Sequence, residues 1–186
     1  ELFSADTHNF MRSPVRDIFK KYDLSKLYSF AGGYPHPCTF PHDKLLSLVE
    51  TVQKKYGTKV LQYGSTQGVA ELLQALSQRY DVPVENIQIT TSSQQGIDVT
   101  ARVLLDPGDV VLVAIPSYLG ALQSFKSYRA EIVGLDLTQS FEASKRRRDT
   151  LRSLVDAGKK IKFFYTVPDF QNPSGETLTL AQRSEL

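Results

Sequence analysis

The sequence predicts an α/β fold built on a mostly parallel sheet, and three observations carry that expectation. Strand-like and helix-like stretches alternate along the 186 residues. Residues 110–115, VVLVAI, form an unbroken apolar run, the pattern of a strand covered on both faces. Residues 87–118 read as a short strand, a polar turn, a helix, a Pro-Gly-Asp turn and then that apolar strand.

Taken in order, residues 1–23 are polar and mixed, broken at Ser13-Pro14, with a short helix expected over 15–22. Residues 30–41, FAGGYPHPCTFP, hold two glycines and three prolines and form an irregular loop. Gly32 and Gly33 allow the backbone to approach a ligand there, or they make a plain turn into the next helix. Leu45, Leu48, Val49, Val52 and Tyr56 fall on one helical face, closed by Gly57. Val69, Leu72, Leu73, Leu76 and Tyr80 repeat that spacing, with Thr66 as the expected cap and Pro83 beyond the end. Between the two helices, LQYGSTQG (61–68) is a loop holding Tyr63 among turn residues.

Residues 87–90 (IQIT) are bounded by turn residues and rich in β-branched side chains, so a strand is expected. Ile97, Ala101, Leu104 and Leu105 then follow at helical spacing, with Ser92, Ser93, Gln94 and Gln95 where that helix begins. The first-turn N–H groups of a helix lack intrahelical partners and the dipole is positive there, so this start suits an anion such as a phosphate. Simple capping of the helix by Ser92 or Ser93 is the alternative. A helix over 118–128 turns Leu119, Leu122 and Phe125 inward, and 131–137 is a third strand. The charge run SKRRR (144–148) adjoins a helix over 150–157 ended by Gly158. Residues 161–167 (IKFFYTV) are a fourth strand, running into the rigid turn PDFQNPSG (168–175). Thr179 and Gln182 have the spacing of a capping box.

Composition narrows the function classes. Hydrophobic residues at 41% and charged at 23% are ordinary for a soluble globular protein, and a charge of +2 requires no acidic partner. SKRRR lacks interleaved aromatic residues, so a solvated surface rather than nucleic-acid binding is expected. No apolar run approaches the roughly 18 residues of a membrane span and no leader pattern is present, so a soluble, cytoplasmic protein without membrane contact is expected. Cys38 is alone, which rules out an internal disulfide framework and any multi-cysteine metal site. His8, His36 and His42 lack ligand spacing, so no metal is expected.

In parallel sheets ligands bind at the carboxyl ends of the strands. Residues 92–95, Ser117-Tyr118 and Gln171-Asn172 each follow a predicted strand. One shared site with an anion cradle, an aromatic ring and an amide follows from that placement. The ligand is not named by it.

The ordered set GGYPHPCTFP, LQYGSTQG, ITTSSQQGIDVTARVLLDPGDVVLVAIPSY and YTVPDFQNPSGETL resembles the fold-type I pyridoxal-phosphate enzymes. More narrowly it is similar to the class I/II aminotransferases grouped with 2-aminoadipate, kynurenine and aromatic amino-acid transaminases, over nearly the whole chain from about residue 13. The resemblance implies a three-layer α/β/α large domain, incomplete in this chain, with residues 1–30 an N-terminal arm and 31–186 the N-terminal part of the cofactor-binding domain. It implies pyridoxal 5'-phosphate as cofactor, with Ser93 and Gln94 at its phosphate, Tyr118 stacked on its ring and Asn172 on its 3-hydroxyl. Tyr63 would reach the phosphate of a neighbouring subunit in a homodimer. Gly33 would lie against the substrate and Arg16 would meet its carboxylate. Each has a plain alternative, such as Tyr118 as a helix-start core residue, Asn172 as a turn former and Arg16 as a surface charge.

The implied reaction moves an amino group from an amino acid of 2-aminoadipate, kynurenine or aromatic type to a 2-oxo acid such as 2-oxoglutarate. The family's Schiff-base lysine, pyridinium aspartate and carboxylate-binding arginine fall beyond the Asn-Pro-Ser-Gly turn, and no lysine follows Gly175 here. Lys126, Lys159, Lys160 and Lys162 lie outside any motif, so no catalytic residue is assigned in this chain. The resemblance therefore implies the N-terminal half of a longer enzyme, inactive by itself. Two readings stay open beside it: a pyridoxal-phosphate-binding domain of a transcriptional regulator, and a non-catalytic interaction domain of the same fold.

Overall fold

The VVLVAI run forms strand β1 (Val110–Ile115), the middle of a three-stranded parallel sheet. The computed structural model describes residues 2–9, 14–23, 26–28, 30, 32–184 and 186. On one side β1 pairs in register with β2 (Glu131–Asp136), from Val110 opposite Glu131 to Ile115 opposite Asp136. On the other it pairs with β3 (Ile161–Tyr165), with an irregularity between Val110 and Val111 that leaves Lys162 without a facing residue.

Burial on both faces explains the missing polar alternation. Val111 and Val113 pack with Ala101, Leu105, Ala121 and Phe125 on one face. Val110 and Leu112 pack with Leu135 and Leu154 on the other. The first layer is supplied by α4 (Ser93–Leu104) and α5 (Leu119–Ser127), the second by α6 (Phe141–Asp156). The three layers expected of the fold are therefore present around this sheet. Phe125, 2% exposed, meets Phe163 and Tyr165 edge-on at centroid distances of 5.4 and 5.5 Å. Each such buried side chain contributes about 1.5–3 kcal/mol through area removed from water.

The chain divides into two units, Tyr34–Thr91, and Glu1–Gly33 with Ser92–Leu186. The second contains the sheet, α1 (Pro14–Lys21), α4 to α6 and α7 (Leu180–Ser184). At α7 the capping box forms as expected: Thr179 N donates to Gln182 Oε1 at 2.8 Å and Gln182 N to Thr179 Oγ1 at 3.3 Å. Helix α6 differs from expectation, because it absorbs SKRRR and starts at Phe141. Ser140 caps it, its hydroxyl accepting from Ala143 N at 3.0 Å, and that cap sets the earlier start.

The Tyr34–Thr91 unit holds α2 (His42–Tyr56) and α3 (Ala70–Tyr80). Gly57, at φ +57°, ends α2 as expected. Thr66 does not cap α3. Val69 occupies the N-cap position and makes no side-chain bond. The apolar stripe of α2 is exposed at Leu45, Leu48, Val49 and Val52, and Leu73 is the buried hydrophobic of this unit among the described residues. Residues 87–90 are extended without forming a strand. Ile89 N donates to Gln67 O at 2.9 Å, and Gln67 Nε2 returns to Ile87 O at 2.9 Å. A strand needs a continuing ladder, and these bonds to the Gln67 loop do not extend into one. No described helix is long and apolar enough to cross a membrane.

The sheet's amino-terminal edge is closed by charge. Asp106-Pro107-Gly108-Asp109 is a turn in which Asp109 N donates to Asp106 O at 3.1 Å, and Gly108 takes φ +87°, a left-handed value that suits glycine. The buried Asp109 carboxylate accepts from Asp106 N at 2.8 Å and pairs with Lys162 at 3.3 Å and Lys160 at 3.7 Å. The Asp106 N–H, assisted by Lys162 and Lys160 against the opposing effect of desolvation, holds the Asp109 carboxyl below its ordinary pKa of 3.8. A depressed carboxylate contributes stability that is present above its ordinary pKa and lost as pH falls through the lowered value. Asp109→Asn in the full-length protein is expected to lower the urea midpoint at neutral pH, with the gap to wild type closing below about pH 4. An undiminished gap in acid, measured by urea titration across pH, would show that charge is not the cause.

Candidate functional site

At the opposite, carboxyl edge of the sheet, polar groups collect around residues 116–124. Ser92 stands at the N-cap position of α4 with extended backbone (φ −169°), and its side chain makes no capping bond. The first helical bond there runs from Gly96 N to Ser92 O, so the N–H groups of Ser93 and Gln94 precede the ladder and lie at the positive end of the dipole. Ser93 is exposed and Gln94 half-buried.

The Gln94 side chain does not reach outward. Its Nε2 donates to Gly120 O at 3.0 Å and to Ser124 Oγ at 2.9 Å, joining α4 to α5. Both amide hydrogens are thereby used, so anion binding at Gln94 falls to its main-chain N–H. Tyr118 occupies the N-cap position of α5, half-buried against the Phe125 layer. Burial, with Tyr118 adding a smaller effect, raises the pKa of the neighbouring Tyr165 phenol.

The turn after β3 is tied to the same place. Gln171 Nε2 donates to Pro116 O at 2.6 Å, and Gln171 N donates to Glu176 O at 2.8 Å. Asn172, the next residue, is exposed. Three buried side-chain oxygens have no hydrogen-bond partner among the described residues: Gln94 Oε1, Ser117 Oγ and Gln171 Oε1. Buried polar atoms are normally paired, so three orphans at one sheet edge single it out among the polar clusters of the described residues.

Comparison with known proteins agrees with this architecture. The description "Aminotransferase class I and II" matches residues 37–186. This chain is a member of that family. It is 37% identical to aromatic-amino-acid aminotransferase 1 of Thermococcus litoralis, over 99% of this chain and 46% of that protein. It is 32% identical to the 2-aminoadipate transaminase of Thermus thermophilus, over 100% of this chain and 46% of that protein. Among solved structures it is similar to the Pyrococcus horikoshii kynurenine aminotransferase in complex with PMP, at a TM-score of 0.85 and 37% identity, covering 99% of this chain and 47% of that one. The chain thus spans about half the length of these relatives.

For an aminotransferase-family chain, the placement of the candidate residues is uneven. Gln94 and Tyr118 meet at the carboxyl edge with Ser117 and Gln171, Ser93 opens the same helix turn as Gln94, and Asn172 adjoins Gln171. Tyr63 is fully exposed and belongs to the Tyr34–Thr91 unit. Gly33 is exposed with nothing within 4 Å of where a Cβ would stand. Arg16 lies in α1, and its side chain is outside the described residues. Lys160 and Lys162 sit at the amino edge with Asp109, away from these groups. Sequence reading missed Gly120 and Ser124; their four-residue spacing of small side chains on one face of α5 was the available signal.

Gln171→Ala in the full-length protein is expected to speed hydrogen exchange of residues 169–176 about 5-fold, the equivalent of one hydrogen bond worth ~1 kcal/mol net. Exchange across β1 should be unchanged. Equal protection of the turn in wild type and variant would remove Gln171 as its tether.

Proposed function

We propose that the protein of which this chain is part transfers an amino group from an amino acid to a 2-oxo acid, using pyridoxal 5'-phosphate. The observation that carries this reading is the family match over residues 37–186, with the start of α4 and its exposed Ser93 at the same sheet edge as Tyr118 and the Gln171 turn. Family membership narrows the chemistry. The residues present fit the cofactor: a helix start for a dianionic phosphate, an aromatic side chain and an exposed amide. When bound, the cofactor supplies an electron sink for charge developing at the amino acid's α-carbon.

This chain's own residues bind and orient. The N–H groups of Ser93 and Gln94, with the Ser93 hydroxyl, hold the phosphate at the positive end of α4. Tyr118 provides the stacking face and keeps water from one side of the ring. Asn172 donates from its amide to the ring's 3-hydroxyl oxygen. Tyr63 serves the phosphate of a second subunit in a homodimer, Gly33 borders the substrate and Arg16 meets its carboxylate. In this reading residues 1–30 are an arm and 31–186 part of the cofactor-binding domain, the protein acts in the cytoplasm, and the Schiff-base lysine is contributed from outside these 186 residues.

Donors of 2-aminoadipate, kynurenine or aromatic type are suggested by the names of similar proteins, and a 2-oxo acid such as 2-oxoglutarate is the acceptor in this reading. The test is an absorbance spectrum of the full-length protein with pyridoxal phosphate, before and after 2-aminoadipate, glutamate or kynurenine. A visible band that gives way to a near-ultraviolet band on adding donor is expected, and the donors that produce it are ranked by rate. No visible band at all would leave a non-catalytic domain of the same fold. Asn172→Ala should bind the cofactor yet lower kcat/KM by about 10–100-fold, read by steady-state kinetics.

A further inference from the structure

We propose that Gly120 is a positioning residue: the absence of a side chain there is what lets the Tyr118 ring and the Gln94 amide stand where they do. The proposal rests on the cofactor reading above and extends it to a residue in the first turn of α5. Gly120 is the second residue of that helix, and its φ is not left-handed. The backbone therefore does not call for glycine, and in a helix glycine is less stable than alanine. Its reason is steric.

A Cβ built on Gly120 would lie 2.5 Å from both Cζ and Oη of Tyr118, and closer still to Gln94 Oε1. Real Cβ atoms essentially never approach other atoms within 3.0 Å, so something must move. What would move are the far ends of two side chains, not the backbone. Those ends belong to the stacking ring and to the amide whose Oε1 is orphaned. Gly120 also supplies the carbonyl that accepts from Gln94 Nε2, while Ser124, buried, holds the same amide from the next turn. The glycine thus fixes Gln94 with its oxygen and makes room for it with its bare Cα.

The test is Gly120→Ala in the full-length protein, read by thermal melting, equilibrium dialysis with pyridoxal phosphate, and a crystal structure of the cofactor-free variant. The thermal midpoint should hold or rise by about 2 °C, as for glycine replaced within a helix. Cofactor affinity should fall roughly 10-fold, and the ring and amide should be displaced by about 1 Å to regain ordinary contact. In a Gln94→Ala background, which removes the nearest atom, the same change should cost less affinity than it does alone. Should Gly120→Ala not fold, folding of the double variant supports the clash, and failure of both overturns the proposal. Unmoved side chains, or a dissociation constant within 2-fold of wild type, also overturn it. If the wild-type protein takes up no pyridoxal phosphate, the functional reading falls, and the displacement in the crystal alone decides the role of Gly120.

Discussion

Everything in the sheet-bearing unit depends on β1 being buried on both faces. Its residues alternate between the Ala101–Phe125 layer and the Leu135–Leu154 layer, so a slip of one residue would exchange every contact at once. That fixed register determines what leaves each end of the strand. At the amino end it places Asp109 between Asp106 N and the two lysines. At the carboxyl end, Ile115 is already half exposed and the chain delivers Pro116, Ser117 and Tyr118 to one edge.

The two ends differ in how completely their polar groups are satisfied, and that difference separates structure from function. The Asp109 carboxylate is buried, yet it has a backbone donor and two cations, as a structural charge should. At the other end two glutamines reach toward residues 116–124 in the same manner. Each gives an amide N–H to a main-chain carbonyl, Gln94 to Gly120 and Gln171 to Pro116, and each leaves its own carbonyl oxygen buried and unpaired. An unpaired buried acceptor costs about 1–3 kcal/mol. Three such costs at one edge have no structural return, which is why this edge, rather than any other polar cluster, is the candidate site.

The sheet was legible in the sequence because its signals are local: an unbroken VVLVAI run, an Asp-Pro-Gly-Asp turn, a Thr-x-x-Gln box. Where reading failed, the deciding partner was elsewhere. Residues 87–90 have strand composition, but a ladder requires a neighbour, and the IQIT backbone bonds to Gln67 instead. Helix α6 begins nine residues before the expected Thr150 because Ser140 caps it, a signal that a charged run of SKRRR masks. The α2 stripe is helical as its spacing predicts, while its exposure could not be foreseen, since periodicity states which face is apolar and not what covers it. Among the candidate residues, Ser93, Gln94, Tyr118 and Asn172 stand out in the sequence as residue types after expected strands. Gly120 and Ser124 did not, because their part is to make room and to hold, and neither carries a chemical signature.

Asn172 brings these constraints together. An exposed amide on a long loop would sample many orientations, and fixing it at binding would cost conformational entropy. Here the loop is tied before any ligand arrives. Gln171 is anchored to Pro116 O, Gly175 N closes back on Gln171 O, Phe170 N bonds Thr177 Oγ1 at 3.1 Å and Leu178 N bonds Pro168 O at 2.8 Å. Arg183 of α7 then clamps Asp169, its Nη1 3.2 Å from Oδ2, and lowers that carboxyl's pKa. The turn is thus bound at both ends and across its middle while the Asn172 side chain next to its anchor stays in solvent. If Asn172 meets the cofactor as proposed, rigidity beneath an accessible amide lets binding energy go into orientation rather than into ordering the loop.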